Sequence, residues 1–331
     1  MGSCTVTVQC DTIATARFMR SCTTTVTQSE SATVFNTRLT TENATLCLAD
    51  GVVITGPVVV AAKNISITRV DPTALVRFEN PAGIAIEVLY PGVWLRGLEI
   101  RASNTSWATV LRIGGGAFAT LESTYVECQA ANGDAVLLSH GGAAMSASRI
   151  VGPSMNGTGI RSEMDSSFRL LNTTVEGRDH AIYAPRTSAY IEQSTLIASR
   201  ATAVLEVQGT SSIVMSGSTL SAGGEASRFG GPVSSSMVIY LEGNMLRRRA
   251  GSTSSGSAII AESSQILQSS VPNTFCNEGT STTDGEFVLP LVSGTIAANS
   301  TFYKGADPGL HDQAALFAAW CDRVGVGVAA S

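Results

Sequence analysis

The most constraining feature of this chain is an eight-residue segment that returns seven times with one inward and outward pattern. It reads VWLRGLEI from Val93, ATLESTYV from Ala119, AMSASRIV from Ala144, FRLLNTTV from Phe168, AYIEQSTL from Ala189, IVMSGSTL from Ile213 and IYLEGNML from Ile239. Its eighth position is aliphatic in every copy (Ile100, Val126, Val151, Val175, Leu196, Leu220, Leu246), and successive copies are 26, 25, 24, 21, 24 and 26 residues apart. Self-similarity at such a period marks a solenoid, in which each unit buries its apolar face against its neighbours.

Within a copy, positions 1 and 3 are mostly apolar while 2 and 4 vary, the period of two of a strand with one buried face. Position 5 is small or polar (Gly97, Ser123, Ser148, Asn172, Gln193, Gly217, Gly243) and predicts a bend before the chain re-enters the core. A second short strand follows about ten residues later: ATVLRI, DAVLLS, GTGIRS, HAIYA, TAVLEV and SAIIAES. Two or three strands per coil without an intervening helix exclude a β-sandwich, which does not repeat one register. The leucine-rich repeat is excluded by the missing L-x-x-L-x-L spacing and asparagine ladder. The predicted fold is all-β, a single-stranded right-handed parallel β-helix, the hand following from the crossover rule for parallel strands.

The expected organisation is an N-terminal cap region over 1–50, the β-helix over 51–305, and a C-terminal helix and tail over 306–331. Asp307-Pro308 has the form of an N-cap and first-turn proline. Leu310, Ala314, Phe317, Cys321 and Val324 then recur at helical spacing, predicting an amphipathic helix over 308–324. Such a helix covers the last coil or docks onto another subunit.

Apolar residues make up 44% of the 331, enough for a sizeable core, and only 14% are charged; the remaining polarity is Ser, Thr and Gly, as in β proteins. The net charge of −5 argues against a nucleic-acid partner. The basic run Arg247, Arg248 and Arg249, followed by a Gly/Ser-rich stretch, reads as an exposed loop. No apolar run is long enough for a membrane span, and the first residues lack a charged start followed by an apolar core. Four of the seven cysteines (Cys4, Cys10, Cys22, Cys47) fall in the first fifty residues without C-x2-C spacing, which points to disulfides stapling a cap rather than to zinc. Asn-x-Ser/Thr sequons stand at Asn43, Asn64, Asn104, Asn156, Asn172 and Asn299.

The stretch CLADGVVITGPVVVAAKNISITRV, followed by PGVWLRGLEI, resembles the first coils of the pectin-lyase-like superfamily of right-handed β-helix proteins, and the likeness runs over roughly residues 40–290. The resemblance implies the fold but leaves the activity open, because that superfamily holds lyases, hydrolases, esterases, phage tailspikes and adhesins. It also implies that working residues sit on the outward positions of a stacked strand or on adjoining turns.

Positions 2 and 4 therefore define the candidate wall, with Trp94, Arg96, Glu122, Arg169, Tyr190, Glu192 and Tyr240 as ligand-binding candidates. Aromatic faces stack on sugar rings and a guanidinium forks onto a carboxylate. Arg169, Glu192 and Glu242 are the catalytic candidates, the two glutamates lying two coils apart, near the carboxylate spacing of an inverting glycosidase. Adjacent aspartates with Gly-His-Gly, expected of a hydrolase of this kind, are not found, and the acidic residues do not gather into a calcium set. His180, flanked by Arg178 and Asp179, reads as a surface hydrogen-bonding group. No metal site is expected, and calcium enters only under a lyase reading.

Two functions follow as expectations. The first is a non-enzymatic β-helix of surface, virion or structural type, extracellular or on a particle, which contacts glycans through its outer wall and assembles as a homo-oligomer. The alternative is a polysaccharide lyase or glycoside hydrolase acting on an extended polysaccharide. Low charge, the missing catalytic sets, Ser/Thr richness and the docking helix favour the first.

Overall fold

The computed structural model describes residues 21–103, 106–163, 165–200, 203–208, 212–222, 227–230, 237–248, 259–261, 265–277, 292–297, 300–304 and 327–329. These form an all-β parallel solenoid with three strands per coil, consistent with a right-handed parallel β-helix. Strands stack into three sheets holding 13, 12 and 9 strands among the described residues. Every pairing is parallel and in register, as the repeat requires.

The first sheet contains Val93–Arg96, Phe118–Glu122, Gly142–Ser146, Ser166–Leu171, Thr187–Glu192, Ser212–Ser216 and Met237–Glu242. The second contains Glu99–Ala102, Tyr125–Cys128, Arg149–Val151, Thr174–Gly177, Thr195–Ala198, Thr219–Ala222 and Met245–Arg248. The eight-residue repeat thus spans two sheets. The third contains Trp107–Gly114, Asn132–Ser139, Asn156–Ser162, His180–Pro185 and Leu205–Gln208.

One copy of the repeat is shifted by a residue from its sequence reading. Ala119 pairs with Ala143 and Leu121 with Met145, so the third copy is AAMSASRI from Ala143, and Ile150 rather than Val151 follows Val126 in the core column. Met145 is an inward residue, 1% exposed. The slip arose because the run Ala143-Ala144 offers two equivalent starts.

With that correction the bend becomes uniform. Gly97, Ser123, Ala147, Asn172, Gln193, Gly217 and Gly243 all occupy the left-handed region, with φ between 47° and 67°. A non-glycine residue there costs roughly 1–2 kcal/mol, and four of the seven coils bear it. The bend lets the strand before it and the strand after it join different sheets. Directly after the bend runs a row of buried polar residues, Thr124, Ser148, Thr173, Ser194, Ser218 and Asn244, continued by Asn273 and Ser300. Each links coil to coil: Ser148 Oγ accepts the Thr124 N–H at 3.1 Å, Ser218 Oγ accepts the Ser194 N–H at 3.1 Å, and Asn273 Oδ1 accepts the Asn244 N–H at 2.9 Å. The sharp turn takes these amides out of the sheet ladders, and the side chains below satisfy them. Because the row mixes Thr, Ser and Asn, it is not the asparagine ladder of a leucine-rich repeat and shows no single letter in the sequence.

The core columns interlock large against small. Val93, Ala119, Ala143, Phe168, Ala189, Ile213 and Ile239 stack in one, and Leu95, Leu121, Met145, Leu170, Ile191, Met215 and Leu241 in the next, all at most 5% exposed. Each buried aliphatic contributes roughly 1.5–3 kcal/mol.

At the N-terminal end, the strand Thr24–Val26 already pairs with Thr45–Leu48. The short helix Ala32–Thr37 and the 3-10 turn Arg38–Thr40 seat Phe35 and Leu39 in the core, with Phe35 edge-on to Phe78 at 5.5 Å. Asn36 finishes the third sheet: its Oδ1 accepts the Val59 N–H at 3.0 Å and its Nδ2 donates to the Pro57 carbonyl at 3.1 Å, as a neighbouring strand would. Of the expected staples, Cys22–Cys47 forms; Cys4 and Cys10 lie outside the described residues. Closing a loop of 25 residues stabilises by about 3.5 kcal/mol in a chain-entropy account. The predicted C-terminal helix over 308–324 also lies outside the described residues. No helix among those described is long and apolar enough to cross a membrane.

Candidate functional site

The outer face of the first sheet carries every wall residue that the repeat singles out, in two parallel rows. One row runs Ser66, Trp94, Thr120, Ala144, Arg169, Tyr190, Val214 and Tyr240. The other runs Thr68, Arg96, Glu122, Ser146, Leu171, Glu192, Ser216 and Glu242. Met145 and Ala147, outward on the sequence register, are replaced there by Ala144 and Ser146.

Arg169, Tyr190 and Glu192 come together. The Arg169 guanidinium lies over the Tyr190 ring, 4.9 Å from its centroid, and its Nη2 is 3.4 Å from Glu192 Oε2. Arg169 and Glu192 remain 58% and 29% exposed, so the ion pair is worth little in stability and is free to be exchanged for another anion. Arg96 and Glu122 form a second pair at 3.5 Å, beside Trp94. Tyr240 and Glu242 stand two strands beyond Tyr190 and Glu192, with Val214 and Ser216 between. Glu242 Oε1 accepts a hydrogen bond from Ser270 Oγ at 2.8 Å.

Around Arg169 and Tyr190 lies a shallow, open hollow of about 290 Å³. Its remaining lining includes Phe118, 42% exposed, and Ser167, Ser188 and Ser212. These four precede position 1 of their copies, so extending the period of two back by one residue finds them. Sequence reasoning stopped at the first apolar residue and missed them.

The third sheet holds a second polar group, also missed. Its strands carry two consecutive buried residues at one point, as in Val110-Leu111, Ala135-Val136 and Ala181-Ile182. Ahead of that step Thr109, Asp134, Thr158 and His180 stack in one row. Asp134 is 3% exposed, and burial pushes its carboxyl up to about 6, against the opposing pull of the Arg161 charge and the Thr158 hydroxyl. His180 Nε2 lies 2.9 Å from Glu206 Oε2 on the following coil. Its sequence neighbour Asp179 turns elsewhere, accepting the Gly157 N–H at 2.8 Å and facing Arg200 at 3.4 Å. Nearby Cys128 is buried and free, its thiol pushed up to about 11 by burial, which leaves it a poor nucleophile.

Among the described residues no three His, Cys, Asp or Glu side chains gather in a way that would hold a metal ion. A comparison with protein-family models finds no match, and neither does a comparison with curated proteins.

Proposed function

We propose that this protein is a non-enzymatic β-helix of surface or structural type that holds an extended glycan against the outer face of its first sheet. The observation that carries this reading is the exposed Arg169–Tyr190 stack inside a hollow edged by Phe118 and three serine hydroxyls. A pyranose ring lies flat on tyrosine, its hydroxyls meet the serines, and an acidic substituent replaces Glu192 on the guanidinium. Tyr240 repeats the platform two strands on, about 9–10 Å away at the strand spacing, on the scale of a disaccharide. A β-helix displaying such a face on a particle or cell surface, assembled from several chains, is the setting that fits it.

Titration calorimetry with a panel of acidic and neutral polysaccharides tests the reading. Binding that falls at least tenfold in both Arg169→Ala and Tyr190→Ala, without release of unsaturated or reducing ends, supports it. Sustained turnover, with or without calcium, overturns it.

One observation favours a hydrolase instead: a carboxyl held near 6, as in Asp134, suits a general acid. Its 3% exposure leaves a sugar little access, which is why the wall of the first sheet is preferred. Activity abolished by Asp134→Asn would reverse that order.

A further inference from the structure

The outer face of the first sheet has a second hollow, at its N-terminal end, of about 190 Å³. Its walls combine two kinds of chemistry. Trp94, 45% exposed, and Val70, 51% exposed, offer apolar surface, with the Cys22–Cys47 disulfide beside them. Arg69 and Arg96 supply two guanidiniums, and among the described residues no carboxylate side chain lines the hollow. Arg96 is shared with Glu122 outside the hollow at 3.5 Å, and Arg69 donates to the Ala74 carbonyl at 3.2 Å. Asp71 feels the Arg69 charge but is held by the N–H and hydroxyl of Thr73. Arg69 keeps its place because Gly97, on the next coil, has no side chain: a Cβ there would fall 2.3 Å from Arg69 Nε.

We propose that this hollow binds the terminal residue of a glycan that bears both a carboxylate and an acylamino group, a sugar of the sialic acid class. The carboxylate answers the arginine pair, to which a neutral sugar brings no charge of its own. The acyl methyl group and the apolar edge of the ring cover Trp94 and Val70, which a simple uronate leaves wet. Asn64 lines the same hollow and offers a carboxamide to the ring hydroxyls. The volume suits one sugar residue rather than a chain. This inference rests on the reading that the outer face meets glycans, but not on the Arg169 cluster. That cluster stands three strands away through Thr120 and Ala144, about 14 Å at the strand spacing.

The test is titration of the full chain with 3′-sialyllactose, lactose and tri-galacturonate, with circular dichroism as the check of folding. Sialyllactose is expected to bind at least tenfold more tightly than either other sugar. Arg69→Gln and Trp94→Ala are each expected to weaken it tenfold or more, Glu122→Gln to tighten it by freeing Arg96, and Arg169→Ala to leave it unchanged. Equal binding of lactose, or an unchanged affinity in folded Arg69→Gln, overturns the proposal. Failure of sialyllactose while an extended glycan still binds in an Arg169-dependent way removes this site alone; failure of both removes the glycan reading as well.

Discussion

The Asn244 Oδ1 lies 2.9 Å from the backbone nitrogen of Ser218, one coil back, and gives that buried amide the acceptor that the left-handed bend takes away. Asn244 Nδ2 in turn donates to the Met215 carbonyl at 2.8 Å. Asn244→Leu orphans both groups, and at about 1–3 kcal/mol for each buried unsatisfied group the expected loss is about 2–6 kcal/mol. Asn244→Ser, which borrows the residue used at Ser148, Ser194 and Ser218, should cost clearly less. Urea denaturation compares them; equal losses would mean that size rather than hydrogen bonding fills this row.

The register of the third coil is open to a paired test. Met145→Asp places a charge among fully buried aliphatics and is expected to cost more than about 4 kcal/mol or to abolish folding. Ser146→Asp, one residue on and half-buried on the outer row, should stay within about 1 kcal/mol of the parent. Thermal melts in which the two variants changed places would restore the register that begins at Ala144.

Asp134 makes stability depend on pH. Its carboxyl is raised from 3.8 to about 6 by burial, so the folded state holds the proton more tightly than the unfolded chain does. The stabilisation is complete below about pH 4 and is lost as pH rises through about 6. Two units correspond to at most about 3 kcal/mol. Asp134→Asn should therefore be more stable than the parent at pH 7 by up to about 3 kcal/mol and close to it at pH 4. Denaturation across pH 4–7 in which the Asn variant kept the parent's slope would place the titrating group elsewhere.

Asn36 guards an edge. Without its carboxamide, the Val59 N–H and Pro57 carbonyl are open to another chain. Asn36→Ala is expected to lose about 1–2 kcal/mol, one or two hydrogen bonds' worth, and to associate more readily, seen as added light scattering at equal fold content. A variant that stayed monodisperse on prolonged incubation would show that the rest of the cap shields this edge alone.

Much of this architecture is legible in the sequence because a solenoid repeats its physics: the aliphatic at position 8 and the outward rows holding Arg169, Tyr190 and Glu192 all follow from one period. What escaped has a physical reason in each case. Ala143-Ala144 carries no polarity contrast, so nothing in it marks inside from outside. The ladder of Thr124, Ser148, Thr173, Ser194, Ser218 and Asn244 mixes three residue types that share only a hydrogen-bonding oxygen, so it shows no consensus letter. Asp134 carries no mark in the sequence because its burial and its place above Thr158 depend on the two consecutive inward residues that break the alternation in the third sheet. The joining of His180 to Glu206 rather than Asp179 needed the stacking of coils, which brings together residues 26 positions apart.

The row of left-handed bends makes length a separable variable in this molecule. Because each coil turns at the same place and hands the next the same inward aliphatic, spacings from 21 to 26 residues leave the stack undisturbed. A coil is therefore a cassette: a lineage can gain or lose one whole and keep both ends. Reach changes in increments of one strand spacing, and the distance between the Trp94 hollow and the Arg169 hollow is set by how many cassettes lie between them.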